Sequence, residues 1–312
     1  MTDKDRFALA QQRLRNVLQK HTVANARTLE NKIADAGPFA QRIEPHVLTP
    51  ARQSLEGSEI MRLGDRSIWF YLRGTDERAL RKRLGEQQPI HNEFQKRSLT
   101  VRIGQSLEIA VYRALISVKA LPVVGAFRDL DSHDDSSFYS KEEPPSMIGD
   151  LPTLGAQRLD FIIFDRENGP VGVEVKNIRQ WLYPNSKEVR ELLNKCCSLD
   201  AVPVLIARRY PYITFRLLSR CGVIVHQTYN QLLPYTAAEI ARKAKDKRLL
   251  GYHDIRVSNE PDARLNRFVS INLLKVLPEA RARFNKAKNL LYAHATLSIS
   301  HEEFAAQVIA RY

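Results

Sequence analysis

The sequence predicts an α/β protein with a mixed β-sheet, preceded by a small domain of helices and a hairpin and followed by a helical tail. Between residues 104 and 226, apolar segments of strand length alternate with segments of helical period. The segments 159–165 and 169–177 are joined by a short turn, which predicts antiparallel pairing. The later strand segments are connected through helices, which predicts parallel pairing.

The composition is that of a basic globular chain. The 312 residues allow two or three domains, and the net charge is +13. Such a charge indicates either a polyanionic partner, most commonly nucleic acid, or solubility alone. The segment 129–150 holds seven acidic residues and one basic residue, Lys141, so the basic surface is expected in the N-terminal hundred residues and the C-terminal tail.

The cellular location is predicted from sequence features that the chain lacks. No apolar run approaches the roughly 18–20 residues of a membrane span, and no secretory signal is recognisable, so no membrane partner is expected. Three cysteines without paired spacing disfavour a disulfide framework or a zinc site. We therefore expect a cytoplasmic protein.

The N-terminal domain is predicted to cover residues 1–75. Helical periods cover 4–20 and 24–36, and a third helix is expected to begin at Thr49 as N-cap, with Pro50 in its first turn. Two apolar runs flanking 63–66 then predict a hairpin.

Three helices and a hairpin in this order resemble a winged helix-turn-helix. The resemblance implies double-stranded DNA as a partner, with Arg52 and Gln53 facing outward from the third helix towards a groove, and Arg62 and Arg66 on the wing near phosphates. The alternative is a small helical domain that contacts other proteins.

The rest of the chain divides into three regions. Residues 76–100 read as a polar connecting region with some helix, 101–235 as the α/β core, and 236–312 as a basic, mainly helical region. The acidic segment 129–150 is expected to be a long, mobile loop. The core elements are predicted in the order helix 104–120, strands 121–127, 159–165 and 169–177, helix 186–199, strand 202–208, helix 213–222 and strand 223–226.

One strand carries charges on its non-valine face. In GPVGVEVKN, residues 169–177, three valines alternate with Gly172, Glu174 and Lys176. If this strand pairs with the preceding one, Asp160 and Glu174 converge near one end. Two buried carboxylates repel each other, and a divalent cation such as Mg²⁺ or Mn²⁺ relieves that repulsion. Lys176 is then placed to hold the attacking water or to neutralise transition-state charge.

Asp160, a 13-residue gap and then Glu174-Val175-Lys176 resemble the motif of the PD-(D/E)xK nuclease superfamily, the fold of restriction endonucleases. The predicted order from 104 to 226 also resembles that family's αβββαβ core. The resemblance implies that Asp160, Glu174 and Lys176 are catalytic. It implies Glu108, Asp160, Glu174 and the Val175 carbonyl as metal ligands. It covers about 125 of the 312 residues.

Two departures from the family pattern accompany the match. Leu159 stands where the family's proline would be, and the helix 186–199 lacks the QxxxY element of some exonuclease branches. On that helix, Lys187, Arg190 and Lys195 could contact the DNA backbone, although a solvated basic face explains them equally well. An ExK tripeptide alone also fits a simple Glu–Lys ion pair on a strand. The conjunction with Asp160, Glu108 and the element order favours the nuclease interpretation.

The sequence thus predicts a magnesium-dependent DNA endonuclease, in which Mn²⁺ can replace Mg²⁺. Restriction, defence or mobile-element roles, with a protein partner from such a system, are analogies at the level of fold. Cutting both strands requires two active sites, so a homodimer is an expectation. The alternative is a non-catalytic DNA-binding regulator that uses a nuclease-like scaffold.

Overall fold

The computed structural model describes residues 2–34, 41–65, 67–119, 121–153 and 157–311. The chain forms two compact units, one from the residues up to Thr100 together with Ala237–Ile255, the other from Val101–Thr236 together with the chain from Arg256 onward. The predicted mixed α/β class with a mixed sheet is confirmed. The prediction treated 236–312 as one region, whereas the structure assigns 237–255 to the first unit.

The first unit begins with helices and a small antiparallel sheet. Its elements up to residue 95 are α1 (Asp3–His21), β1 (Val23–Asn25), α2 (Ala26–Ile33), α3 (Pro45–Gln53), β2 (Ile60–Leu63), β3 (Trp69–Leu72) and α4 (Glu77–Gln95). The sheet order is β1-β3-β2, and the expected hairpin is formed by β2 and β3. The helices pack on this sheet through an apolar core, which includes Leu14, Leu29, Ile33, Leu48 and Phe70.

The third helix begins earlier than the sequence predicts. Thr49 is inside α3 and is not its N-cap; Glu44 is the N-cap and Pro45 occupies the first turn. A proline suits that position because its missing N–H would have no partner there. Pro50 consequently lies within the helix. The predicted connecting region is also more regular than expected, since α4 alone spans 19 residues.

The second unit is built on a five-stranded sheet. The elements from residue 97 to 233 are α5 (Arg97–Ile116), β4 (Val123–Val124), β5 (Ala126–Phe127), β6 (Lys141–Glu142), β7 (Met147–Ile148), β8 (Leu151–Pro152), β9 (Phe161–Asp165), β10 (Gly169–Lys176), α6 (Lys187–Ser198), β11 (Val202–Ala207), α7 (Tyr212–Arg220), β12 (Ile224–Gln227) and β13 (Gln231–Leu233). The sheet order is β12-β11-β10-β9-β4.

Strand directions agree with the predicted connections. β4, β9 and β10 pair antiparallel, and β10, β11 and β12 pair parallel. The first predicted strand, 121–127, is broken at Gly125, whose φ of 102° suits glycine, and β5 leaves the sheet to pair with β6. The sheet is buried, as the continuous apolar run of β11 shows.

The acidic segment 129–150 is mostly irregular, as expected of a loop, and the two-residue strands β6 and β7 lie within it. β5 pairs with β6, and β7 pairs with β8. Gln105 on α5 holds the segment through both backbone groups of Tyr139, with its amide nitrogen 2.9 Å from the Tyr139 carbonyl and its amide oxygen 3.1 Å from the Tyr139 N–H. This anchoring brings Lys141 towards α5.

The C-terminal residues are mainly helical, as predicted. They form a 3₁₀ turn (Tyr235–Ala237), α8 (Ala238–Lys245), β14 (Ile255–Val257), α9 (Ala263–Arg267), a π-helical stretch (Phe268–Asn272), α10 (Leu273–Ala295) and α11 (His301–Arg311). Helix α10 packs on α6 and belongs to the core of the second unit. From α10, Arg281 donates hydrogen bonds to the carbonyls of Asn168 (2.6 Å) and Pro170 (2.7 Å), which fixes the β9–β10 turn.

Candidate active site

Asp160 and strand β10 meet at the start of β9. The antiparallel register pairs Phe161 with Val173, and the Asp160 N–H extends it by donating to the Val173 carbonyl at 3.1 Å. The Asp160 carboxylate then reaches one residue pair further, where Oδ2 accepts the Val175 N–H at 2.7 Å. Hence Asp160 lies against the Glu174-Val175-Lys176 segment.

Glu174 is buried, with 3% of its surface exposed, and it is held between two lysines. Lys176 Nζ lies 2.7 Å from Oε1, and Lys195 Nζ lies 2.6 Å from Oε2. Lys195 is itself buried and also donates to the Arg158 carbonyl at 3.0 Å. Burying a lone carboxylate would cost several kcal/mol, and these two ammonium groups offset that cost.

Helix α6 can deliver Lys195 because it packs closely on the polar face of β10. Gly172 makes this approach possible: a Cβ there would lie 2.5 Å from Cys196 Sγ and 2.7 Å from Leu159 Cδ1. Gly172 and Glu174 share one face of the strand, so the helix that covers Gly172 places Lys195 beside Glu174.

The third carboxylate, Glu108 on α5, is joined to Asp160 by a lysine. Lys141 Nζ lies 2.7 Å from Glu108 Oε2 and 3.3 Å from Asp160 Oδ1, and its side chain is only 8% exposed. Glu143 Oε2 is 3.6 Å from the same ammonium. One cationic atom therefore occupies the position between the two carboxylates.

Burial and charge shift the pKa values in this cluster. Burial, with the nearby Asp160 charge, raises the pKa of Glu108 to about 7, although Lys141 opposes the shift. Burial and Asp160 likewise raise the pKa of Glu174, against Lys176 and Lys195. Burial alone would lower the pKa of Lys176, but Glu174 and Asp160 outweigh it and raise that pKa. Lys176 is consequently a firmly protonated donor at neutral pH.

Only some of the carboxylates in this cluster are arranged as ligands of a hard divalent cation would be. Glu108 and Asp160 already converge on one cation, the Lys141 ammonium, and carboxylate oxygens are the ligands that Mg²⁺ and Mn²⁺ prefer. Glu174 is engaged by two lysines instead. In the part of the chain that the structure describes, no three acidic, histidine or cysteine side chains are grouped so as to hold a metal. Binding would thus require Lys141 to leave Glu108 and Asp160.

Two lysines of the cluster were not predicted as site residues. Lys195 was considered for DNA contact, and that interpretation is wrong because its side chain is buried on Glu174. Its position three residues after Leu192 on the buried stripe could have indicated this. Lys141 had a signal too, since it is the single base among the acidic residues of 129–150.

The residues expected to contact DNA have different environments. Arg52 does not face outward: its guanidinium lies 4.1 Å from the centre of the Phe70 ring, and it pairs with Glu56 one helical turn on. Gln53 is exposed, and Arg62 is 55% exposed and 3.7 Å from Glu56. Arg66 lies outside the described residues.

On α6 of the second unit, the other two predicted contacts are on a different face from Lys195. Lys187 is 78% exposed and lies 3.6 Å from Glu191. The Arg190 guanidinium donates to the Asn185 carbonyl. Lys187 is therefore exposed and Arg190 is half-buried, and a phosphate contact by either residue stays a prediction.

Comparison of the chain with protein-family models, with curated proteins and with solved structures finds no significant match. None of the helices in the described ranges has both the length and the apolar character needed to cross a membrane.

Proposed function

We propose that this protein is a metal-dependent DNA endonuclease of the PD-(D/E)xK type, with a winged-helix-like first unit that binds double-stranded DNA. The observation that carries the proposal is the cluster of Glu108, Asp160, Glu174 and Lys176 at one end of the β9–β10 pair. The mixed sheet β4-β9-β10-β11-β12 supports it, because the resemblance implies a core in which three strands are followed by a helix and a further strand.

The residues of the cluster would have different roles in hydrolysis. Glu108, Asp160 and Glu174, with the Val175 carbonyl, would hold Mg²⁺ or Mn²⁺, which when bound lowers the pKa of a water molecule and offsets phosphate charge. Val175 donates its N–H to Asp160 and so fixes that carboxylate. Lys176, whose pKa is raised, would donate to the water or to a phosphate oxygen and would not act as a base.

A second candidate is a DNA-binding regulator without catalysis. One observation favours it: each carboxylate of the cluster is neutralised by lysine, and Glu174 is bound by two of them. A scaffold stabilised in this manner needs no metal. The two candidates differ in whether the cluster performs hydrolysis.

Cleavage of supercoiled plasmid in Mg²⁺ or Mn²⁺ distinguishes them. We expect nicked or linear product with the wild type, and loss of product by at least about a hundredfold in Glu174→Ala and Lys176→Ala, given the usual size of such electrostatic contributions. Glu302→Gln, an exposed carboxylate change on α11, serves as the control. DNA binding measured in parallel should persist in all variants. A wild type that binds but never cuts would support the regulator.

A further inference from the structure

A basic cleft of about 680 Å³ lies within the first unit, and none of its lining residues belongs to the carboxylate cluster. It is formed by the ends of α1 and α2 and by the segment after α8. Its charged or titratable lining consists of Lys20, His21, Lys32, Lys247, Arg248 and His253. The neighbouring carboxylate, Asp246, is 3.1 Å from Arg248 and neutralises that residue.

Lys32 is built into the floor of this cleft. Its Nζ donates to the Lys247 carbonyl at 2.7 Å, the one hydrogen bond that this ammonium makes among the described residues. Gly251 leaves room for it: this residue has a φ of 68°, and a Cβ there would lie 2.8 Å from Lys32 Nζ. An ammonium has three N–H donors, so two remain for a ligand.

The electrostatics of the cleft favour an anion. Burial, together with Lys20, lowers the pKa of Lys32 to about 8, and Asp246 opposes this only partly. Burial also lowers the pKa of His21 to about 4, with further contributions from Lys32, Lys20 and Arg83. Positive groups that lower one another's pKa in this way repel each other, and a bound negative charge would reduce that repulsion.

We propose that this cleft binds a phosphate group through Lys32 and Lys20. The proposed function supplies the expected source, a backbone phosphate of double-stranded DNA, and the inference rests on it for that source alone. The same site chemistry would accept a free phosphate ion. Lys20 is exposed and Lys32 is half-buried, and both line the cleft from different helices, so one bound anion could contact both ammonium groups.

Inorganic phosphate and pyrophosphate, titrated against chloride at constant ionic strength, test the site. We expect the melting temperature of the full chain to rise with phosphate in the wild type and in Lys4→Gln, and not in Lys20→Gln or Lys32→Met. Lys4 is the matched control because it is exposed on the same helix, about 24 Å from Lys20 at 1.5 Å per residue. If Lys32→Met folds poorly, the comparison of Lys20→Gln with the wild type and Lys4→Gln decides the outcome.

The salt dependence of DNA binding identifies the source. If a backbone phosphate occupies the cleft, the slope of log affinity against log salt should become shallower by about 1 in Lys20→Gln and Lys32→Met, but not in Lys4→Gln. A phosphate effect without a slope change assigns the site to the free ion. No difference from the wild type in either measurement overturns the proposal. A protein that shows the slope change yet never cleaves DNA would refute the nuclease function and leave the cleft standing.

Discussion

Lys141 contacts both Glu108 and Asp160, two of the carboxylates that the proposed function assigns to a metal ion. Replacing it by methionine removes a competing charge while keeping an unbranched side chain. A unit charge at about 4 Å interacts by about 4 kcal/mol at an effective dielectric constant of 20, and 1.4 kcal/mol is a factor of ten in affinity. We expect Lys141→Met to bind Mn²⁺ at least about tenfold more tightly, measured by isothermal titration calorimetry.

The same substitution should lower the melting temperature of the metal-free protein, since two buried carboxylates would then face each other without an ammonium. Lys119→Met, an exposed change in the same unit, should alter neither quantity. Unchanged or weaker Mn²⁺ binding by Lys141→Met would mean that Glu108 and Asp160 do not hold the metal.

Glu108 makes stability depend on pH in a defined direction. Its pKa rises from an ordinary value of 4.5 to about 7, so the folded protein binds more protons than the unfolded chain between these values. The free energy of unfolding therefore falls as pH rises from about 4.5 to about 7 and is level above that window. At about 1.4 kcal/mol per pKa unit, the effect is a few kcal/mol.

Denaturant titrations of the metal-free protein across this range check the prediction. The wild type should lose stability relative to Glu108→Gln between pH 4.5 and 7, because glutamine does not ionise. Glu174, whose pKa is also raised, remains in both proteins and cancels in the difference. A difference that stays constant with pH would show that Glu108 titrates normally.

At the residue scale, the sequence predicts Asp160, Glu174 and Lys176 because Asp160 directly precedes the apolar run of β9, and Glu174 and Lys176 alternate with valines along β10. It does not predict their partners Lys141 and Lys195. Those side chains reach the site from 19 and 21 residues away in sequence, through the β5–β6 pair and through the packing of α6. Such contacts depend on tertiary structure, which local periodicity does not encode.

At the scale of elements, the approach of α6 to β10 depends on Gly172. In Gly172→Ala the new Cβ would lie 2.5 Å from Cys196 Sγ and 2.7 Å from Leu159 Cδ1. Overpacking of this kind costs about 1–3 kcal/mol. We expect a corresponding loss of the free energy of unfolding, measured by urea titration, and partial recovery in Gly172→Ala/Cys196→Ala because the sulfur is removed.

Gly85→Ala supplies the matched control for this change. Gly85 lies inside α4, and a Cβ there would meet no atom within 4 Å. Alanine in a helix interior is favoured over glycine by about 0.5–1 kcal/mol, so this variant should be more stable than the wild type. Equal tolerance at both positions would show that α6 is free to move away from β10.

The elements themselves were largely predictable between 104 and 226. The strands found at 161–165, 169–176 and 202–207 follow alternating or continuous apolar runs, and the helix at 187–198 follows a clear helical period. The start of α3 was missed because two prolines, Pro45 and Pro50, both suit a first helical turn. Which proline begins the helix is decided by packing of Leu48 and Ala51 in the core.

At the scale of the whole molecule, the first unit is discontinuous in sequence. Residues 237–255 complete it through the Asn31 amide, which donates to the Gly251 carbonyl, through Lys32, and through edge-to-face packing of Phe94 on Tyr252, with ring centres 6.0 Å apart. The sequence offered no sign of this return, since nothing in the polar, basic segment indicates which unit it covers.

We expect residues 1–100 alone to lack a cooperative thermal transition, and the same residues joined to 237–255 by a flexible Gly/Ser linker to regain one. The physical reason is that Tyr252 and Leu250 are buried in the complete unit and leave an exposed apolar surface when absent. Circular dichroism on heating checks this. An equally cooperative transition in residues 1–100 would show that the returning segment is dispensable.

The return of residues 237–255 also has a consequence for biosynthesis. A ribosome makes the chain from the N-terminus, and domains generally fold as units while they emerge. Here the last segment of the first unit follows every strand of the five-stranded sheet. The basic cleft that uses Lys247 and Arg248 is therefore unfinished until translation has passed the whole sheet. A polypeptide that ends before residue 237 lacks the finished cleft, so the phosphate binding that we propose for the cleft requires residues that are made after the whole sheet.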